Sequence, residues 1–401
     1  MVLLILVSDW GRRKMDKQKC VSADNLPKEL GNLMASQFEF VNTNEKIMDD
    51  NLKTVSRGFF RDALFRLKKN KAAVGAFIIL CFIIFMAIFG PGMSNYTFTE
   101  QHPQYVNMPA RIPGLEKLGI FDGRRVLVNK RLESLDDPDK FPNDCVLGYS
   151  NPREIRGVTM VDVEVNYYKY LDAEDVYYWF GSDEFGRDLW TRLWRGTRVS
   201  LIIAFTAVMT DVVFGVVFGA IAGYYGGRVD FYMMRFCEVL NAFPNVVVCT
   251  MFIMVFGSGI FSMILALCVR GWVGTARMVR AQFLRFRGRE YVMAAQTMGV
   301  PDRTLIFRHI LPNSIGPIIT RTMVAIPSAI FTESFLAYIG LGLAPPEPSI
   351  GTLLSAGQKV LMQYPHMTLF PAVVISILMI AFNMFGNGLR DALDPTQRGQ
   401  E

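Results

Sequence analysis

The side chains in this sequence that could do chemistry are a few ionisable groups in or beside long apolar stretches, namely Asp211, Glu238, Arg270 and Glu333. An isolated charge is costly inside a hydrocarbon layer, so each one is a functional hypothesis by default. The carboxylates of Asp211 and Glu333 could relay ions or contact a transported solute. Burial against a neighbouring helix explains them equally well, and the residues leave these alternatives open.

Motifs typical of enzymes are missing from the sequence. It contains no G-x-x-x-x-G-K-[ST] phosphate loop, so we do not expect the chain to bind and hydrolyse ATP itself. It also contains no nucleophile elbow, no metal-ligand spacing among its three histidines and no paired-carboxylate site with a suitable context. The sequence therefore predicts no enzymatic activity, no catalytic residue, no metal site and no cofactor in this chain.

The composition indicates contact with lipid. The chain has 401 residues, of which 51% are apolar and 19% charged, whereas roughly 25% are charged in an ordinary soluble domain. A soluble enzyme is therefore excluded as the leading interpretation. The net charge of +6 is too small to indicate a nucleic-acid partner.

Six apolar stretches are candidates to cross a hydrocarbon core of about 30 Å as helices. They are residues 72–89, 199–223, 236–257, 260–275, 315–339 and 367–389. Six spans put both termini on the same side of the membrane. The predicted fold is an all-α membrane protein with six transmembrane helices and an external insertion that contains some β-structure.

The spans divide the chain into four regions. An N-terminal segment, 1–71, starts at Met1 or Met15 and ends with an amphipathic helix at 59–67 that is suited to a membrane interface. The first span, 72–89, an external domain, 90–198, and a five-helix core, 199–395, follow it. In the external domain, Val161, Val163 and Val165 alternate with polar residues, which predicts a strand, and residues 125–128 are a candidate partner strand.

The basic residues predict the orientation. Three lysines at 68–71 precede the first span, and the segment 341–365 holds only Lys359, whereas the segment 277–308 is rich in arginine. Basic residues collect in short cytoplasmic loops, so both termini and the segment 277–308 are expected in the cytoplasm. The arginines of that segment are Arg277, Arg280, Arg285, Arg287, Arg289, Arg303 and Arg308.

The loop 277–313 is unusually long for a connection inside a helix bundle, so we expect it to bind a partner. Residues 289–298 are compatible with a helix that ends at Gly299. Pro301 can begin a second helix, and Pro312 is expected to close it. The predicted unit is a helix, a sharp turn and a helix, with small residues on the first helix that allow close approach by another protein.

This loop resembles the EAA loop of the permease subunits of bacterial ATP-binding-cassette importers. The resemblance implies a coupling helix held in a groove of an ATPase subunit. Met293 stands where the motif has Glu, and His309 where it commonly has Ile. The residues to which the resemblance assigns the coupling role are Met293, Ala294, Ala295, Gly299, Leu311 and Pro312.

Other segments are similar to the C-type permease of oligopeptide and dipeptide importers, with Ile350 where Trp is frequent. These segments are 181–189, 196–201, 333–336, 340–351 and 382–395. The resemblance implies a multi-pass subunit of the bacterial cytoplasmic membrane. The expected partners are a second homologous permease, two ATPase subunits that bind ATP and magnesium, and an extracytoplasmic peptide-binding protein.

The implied function is peptide import, in which closure of the ATPases is converted into alternating access. A nickel or glutathione importer would use a similar permease and is the closest alternative. An ion-coupled carrier that uses Asp211 and Glu333 as relay groups is a rival of another class, but it leaves the coupling loop without a role.

Overall fold

The computed structural model describes residues 59–393, with gaps of one residue at 120, 136, 139, 143 and 156. The predictions for the N-terminal start at Met1 or Met15, and for the end of the motif at 394–395, lie outside the described residues.

Ten helices form most of the described chain. The first, α1, is amphipathic as predicted and carries an ion pair of 3.1 Å between Arg66 and Asp62. A helical turn at Asp302–Thr304 and a π-helical stretch at Leu305–Ile310 lead into α8. The helices are α1 Phe59–Lys69, α2 Lys71–Phe89, α3 Leu189–Tyr225, α4 Gly227–Ala242, α5 Asn245–Phe256, α6 Ile260–Arg287, α7 Glu290–Thr297, α8 Leu311–Leu336, α9 Ile350–Lys359 and α10 His366–Leu393.

The helices agree with the predicted multi-pass fold. In the part of the chain that the structure describes, five helices are long and apolar enough to cross a membrane, and α4 with α5 makes a sixth if the bent pair is one span. Two helices are much longer than the predicted spans. Helix α3 begins at Leu189 and not at 199, and α6 continues past 275 to Arg287.

The predicted single helix at 236–257 is wrong, because the chain bends by 81° between α4 and α5. The bend lies at Phe243 and Pro244, which both have extended backbone. Proline disfavours helical backbone in the residue before it and has no N–H to donate, so the helix ends there. Arg270 of α6 stabilises the bend by donating hydrogen bonds to the Phe243 carbonyl, at 2.6 Å, and to Asn241 Oδ1, at 3.1 Å.

Helices α3 and α6 form the most extensive helix pair. Gly215, Gly219 and Gly223 recur every four residues on α3 and face α6. A Cβ at Gly215 would lie 2.7 Å from Thr275 Cβ, and one at Gly223 would lie 2.6 Å from Phe283 Cβ. Small residues at this spacing let two helices approach closely inside a membrane. The pair is therefore packed tightly along its length.

The insertion between α2 and α3 contains a three-stranded antiparallel sheet. Its strands are β1 Arg124–Arg131, β2 Val146–Ile155 and β3 Val158–Asn166, in the order β1-β3-β2. The strand predicted from the alternating valines is β3, and the predicted partner strand lies within β1. Strand β2 was not predicted from the sequence.

The sheet has a small apolar core and one buried charge. Val161, Val163 and Val165 are fully buried on one face of β3. Asp162 accepts hydrogen bonds from the Asn129 N–H, at 3.1 Å, and from Asn151 Nδ2, at 3.2 Å, on the two neighbouring strands. These hydrogen bonds, the Asn129 bond first, lower the pKa of the Asp162 carboxyl.

Candidate functional site

The predicted coupling helix is α7, and Gly299 ends it. Gly299 has φ +78°, in the left-handed region that glycine adopts without a Cβ penalty. The Gly299 N–H donates to the Gln296 carbonyl at 3.0 Å, and the Val300 N–H donates to the Ala295 carbonyl at 3.2 Å. This pair of hydrogen bonds is the Schellman motif, which satisfies the last carbonyl groups of a helix.

The prediction that Pro312 closes the second helix is wrong. Pro312 lies in the first turn of α8, which continues to Leu336. A proline ring clashes with the carbonyl four residues before it in a regular helix. The preceding turns are wider here, since Leu311 donates to the carbonyl of Ile306, five residues back. The wider turns therefore accommodate Pro312 without ending the helix.

The two alanines of the motif have different surroundings. Ala295 is buried with Val292 against Phe283 of α6 and Leu305 of the π-helical stretch. Ala294 is exposed on the other side of α7. The exposed surface of α7 is therefore formed by the side chains around Ala294, including Met293 and Met298.

Hydrogen bonds fix this unit to the helix bundle. Tyr224 at the end of α3 donates its hydroxyl to Asp302 Oδ1 at 2.6 Å. Asn313 of α8 donates to the Tyr291 hydroxyl of α7 at 3.2 Å. These bonds attach α7 and the turn after it to α3 and α8.

Most of the arginines that predicted the orientation make no ion pair within the described chain. Among the seven at 277–308, Arg280 alone makes an ion pair within the described chain, and it joins the Asp230 carboxylate of α4 through two nitrogens. The surface around α7 is consequently positive.

A second cluster joins three segments that are far apart in the sequence. Glu333 of α8 is fully buried, and its Oε2 accepts a hydrogen bond of 2.9 Å from the Ser200 hydroxyl of α3. Ser200 in turn accepts a hydrogen bond from the Ile350 N–H at the start of α9. Beside them, a Cβ at Gly196 would lie 3.0 Å from the main chain of Ser349. We call Ser200, Glu333 and Ile350 the serine–glutamate junction.

The junction favours helix packing for Glu333. Its side chain reaches no solvent in this conformation, and its Oε1 has no hydrogen-bond partner among the described residues. Asp211 lies elsewhere, with its carboxylate over Gly271 of α6. Ser200 and Asp211 are eleven residues apart on α3, or about 16 Å along the helix axis. The two carboxylates therefore do not form a direct relay.

The remaining charges within the predicted spans are paired or packed locally. Glu238 makes an exposed ion pair of 2.6 Å with Arg235, one helical turn earlier. Arg321 of α8 lies against Gly274 of α6, where a Cβ would be 2.5 Å from its Nη2. Arg321 was not among the predicted site residues, although a cation inside a predicted span was a signal for it.

The segment 181–189 leads into α3 and supplies its N-cap. Asp188 is the N-cap of that helix, accepting from the Thr191 N–H at 3.1 Å and from the Ser94 hydroxyl at 2.9 Å. Burial raises the pKa of Asp188, and these hydrogen bonds oppose that rise. Asp183 forms an ion pair of 2.7 Å with Arg187. This motif therefore fixes the insertion to the bundle.

Family models match two parts of the chain. A model described as the N-terminal TM domain of oligopeptide transport permease C matches residues 58–110. A model described as a binding-protein-dependent transport system inner membrane component matches residues 215–399, which include α7 and Glu333.

Curated relatives extend over most of the chain. The oligopeptide transport system permease protein OppC of Bacillus subtilis is 34% identical over 343 residues, covering 86% of this chain and 92% of that protein. The chain belongs to this family of binding-protein-dependent permeases. The dipeptide transport system permease protein DppC of the same organism is 34% identical over 379 residues, which cover 94% of this permease and 98% of the relative.

A solved structure of the MetNI methionine ABC transporter, in an inward-facing conformation, is also similar to the permease. The sequence identity is 14% and the TM-score is 0.43, over 50% of this chain and 95% of that one.

Proposed function

We propose that this permease is one of two membrane subunits of an ATP-driven importer of oligopeptides or dipeptides. The observation that carries the proposal is the helix α7, which is seated on its own bundle through Val292 and Ala295 and exposes Met293, Ala294 and Met298. A helix supported on one side and open on the other is suited to receive a push from an ATPase subunit.

The proposed mechanism is alternating access. Closure of two partner ATPases, which bind ATP and magnesium, would move α7 and bias the bundle between inward-open and outward-open states. The contacts of α7 with α6 and with the segment before α8 would carry this movement into the membrane. The permease itself would perform no chemistry on ATP or on the peptide.

The proposed partners include a second, homologous permease and an extracytoplasmic binding protein. We propose that the sheet insertion lies outside the membrane and forms a docking or scaffold surface for that binding protein. Both termini and α7 would then lie on the cytoplasmic side of a bacterial plasma membrane. The arginine-rich surface around α7 supports this orientation.

The peptide cargo is supported by the names of three relatives that match most of the chain. A glutathione importer is the second candidate, because the glutathione transport system permease protein GsiD of Pectobacterium atrosepticum is 36% identical over 218 residues. That match covers only 54% of this chain. A dedicated metal path has less support, since no cluster of three or more metal-ligating side chains occurs in the described chain.

The test is isolation of the permease from its native membrane in mild detergent, with identification of the subunits that copurify. The complex is then reconstituted, and vanadate-sensitive ATP hydrolysis is measured with oligopeptides, dipeptides and glutathione. We expect a second permease, ATPase subunits and stimulation by peptides. If glutathione alone stimulates ATP hydrolysis, the cargo is glutathione and the proposed import of oligopeptides or dipeptides is refuted.

The ion-coupled rival makes the opposite prediction. The permease would be recovered without ATPases, and transport after reconstitution would stop when an ionophore collapses the ion gradient. That result would refute the coupling role of α7 and direct attention to Asp211 and Glu333.

A further inference from the structure

A cleft of about 630 Å³ lies beside the sheet, between β1 and the loop that connects α9 to α10. Residues 124–128 and Lys130 of β1 form one wall, and residues 362–366 form the other. Its volume is within the range of sites that hold small ligands or short peptide segments, roughly 300–1,000 Å³.

The cleft runs along the edge of β1. Successive side chains of a strand point to opposite faces, so a cleft over one face would be lined by alternate residues. This cleft is lined by five consecutive residues, 124–128. The strand order β1-β3-β2 leaves β1 with no strand on its other side. An edge of this kind presents main-chain N–H and C=O groups that can pair with an added strand.

The walls of the cleft are held in place before anything binds. The Arg125 guanidinium lies between two tyrosine rings, 4.6 Å from the ring centre of Tyr167 and 4.5 Å from that of Tyr364. Arg125 Nη2 also donates a hydrogen bond of 2.7 Å to the Tyr364 hydroxyl. A site that is already ordered loses less conformational freedom on binding.

The charge of the cleft specifies the charge of its occupant. Arg124, Arg125 and Lys130 line it, and none of the described lining residues is Asp or Glu. Arg124 is engaged by the Asp122 and Glu164 carboxylates. Arg125 and Lys130 make no ion pair in the described chain, so they are available to carboxylates of a bound segment.

The face of β1 next to this edge is apolar. Val126 and Val128 are more than half exposed, whereas Leu127 between them packs against the core of the sheet. An added strand would place alternate side chains beside the two valines. Five residues of added strand would extend about 17 Å along the edge.

We propose that β1 binds, by strand addition, an extended acidic segment of the extracytoplasmic binding protein. This inference rests on the proposed function, because it names the mode and the place of docking for a partner of the importer. A lipid headgroup would satisfy the cationic groups but would leave the strand edge and the two exposed valines unused. An extended acidic peptide segment would pair with the strand edge, contact the two valines and bind the cationic groups.

The test uses the importer complex in nanodiscs of zwitterionic lipid and a labelled five-residue peptide in which glutamate alternates with valine. Fluorescence anisotropy measures binding of this probe, of a copy with lysine in place of glutamate, and of a copy with N-methylated peptide bonds. N-methylation removes the main-chain donors needed for strand pairing and keeps the charge. We expect only the unmethylated acidic peptide to bind.

Two neighbouring charge reversals provide a matched comparison. Lys130→Glu, which changes a lining residue, should weaken binding of the acidic probe about fivefold, whereas Arg131→Glu, at the exposed end of the same strand and outside the lining, should change it less than twofold. Both residues are exposed, so neither change should prevent folding.

Cross-linking then identifies the source of the segment. A photoreactive side chain at Val128 of β1 should cross-link to the purified binding protein, and one at Tyr149 of β2 should not. The two positions are similarly exposed, at 57% and 60%.

Equal binding of the N-methylated probe, equal effects of the two reversals, or equal cross-linking at the two positions would overturn the proposal. Displacement of the acidic probe by neutral transported peptides would mean that the cleft binds cargo, and displacement by anionic lipid vesicles would mean that it binds headgroups. Either outcome overturns it too. If the complex imports peptides while the probe does not bind, the inference fails and the proposed function stands.

Discussion

Replacement of Gly299 by alanine should loosen the end of α7 without disturbing its packing. A Cβ at this position would meet no atom within 4 Å, so the effect of the change is conformational and not steric. The φ of +78° is the property that alanine tolerates poorly.

The magnitude follows from two opposing terms. Left-handed backbone costs a residue other than glycine about 1–2 kcal/mol. Alanine also reduces the freedom of the unfolded segment, which offsets about 0.4–1 kcal/mol. The net loss is about 1 kcal/mol, which raises the population with an open helix end about fivefold.

Hydrogen exchange measures this opening directly. The N–H groups of Gly299 and Val300 donate the two hydrogen bonds of the Schellman motif, so in the variant the amides at 299 and 300 should exchange about fivefold faster. In proteoliposomes, the amount of peptide imported per ATP hydrolysed should fall. Asparagine adopts the left-handed region more readily than alanine, so Gly299→Asn should lie between the variant and the parent.

Gly288 provides the control at the other end of the same loop. It also has open space around it, but its φ is −87°. Gly288→Ala should therefore leave both amide exchange and coupling unchanged. Parent-like exchange in Gly299→Ala, or the same acceleration in Gly288→Ala, would refute the reasoning.

Three other predictions test particular contacts. Ala295→Leu overfills a buried position and should lower the stability measured by thermal unfolding by about 1–3 kcal/mol. Ala294→Leu should keep this stability but reduce peptide-stimulated ATP hydrolysis. Equal stability of the two variants would contradict the assignment of Ala295 as buried and Ala294 as exposed. Glu333→Gln keeps an acceptor for the Ser200 hydroxyl, whereas Glu333→Ala leaves that buried donor unpaired. The alanine variant should therefore lose about 1–3 kcal/mol of unfolding free energy in the same assay. An equal loss of stability in both variants would show that the hydrogen bond is not the cause. The folded-state pKa of Asp162 is lowered, so the stability that this carboxylate contributes should be present above its unfolded pKa near 3.8 and be lost as the pH falls through the lower, folded value. Asp162→Asn should abolish this loss. Hydrogen exchange of the sheet amides, measured at a series of decreasing pH values, checks this.

The apolar pattern predicted the membrane helices because burial in lipid requires long runs of apolar residues. The ends of the helices follow other rules. The first turns of α3 begin after the N-cap Asp188 and carry Arg192, Arg195 and Arg198 among their apolar residues, so hydropathy did not include them. The arginine-rich end of α6 is a regular helix that buries one apolar face, including Val279 and Phe283, and its mean hydropathy is too low for a predicted span. The break before α5 had a signal in Pro244, which the hydropathy of the span obscured.

Long-range contacts could not be predicted from spacing. The serine–glutamate junction brings Ser200 to Glu333 and to the start of α9, which lie 133 and 150 residues away in the sequence. The strand β2 was missed because most of its residues are exposed, which removes the alternation that revealed β3. The coupling loop was predicted more closely because glycine and proline act on the local backbone, although the wide turns before Pro312 required the structure.

The prolines of α8 make it more pliant than its neighbour α6. Pro317 and Pro327 lie inside α8 and donate no N–H, so the carbonyls of Asn313 and Met323 lose their regular helical donors. Helix α6 contains no proline, and its residues 272–283 pack closely against the glycines of α3. A displacement of α7, which packs against α6 and is hydrogen-bonded to α8 through Tyr291 and Asn313, would therefore act on two helices of different stiffness. We expect α6 to move as a rigid helix and α8 to bend at its prolines, so that one movement of α7 would produce two different displacements across the bilayer.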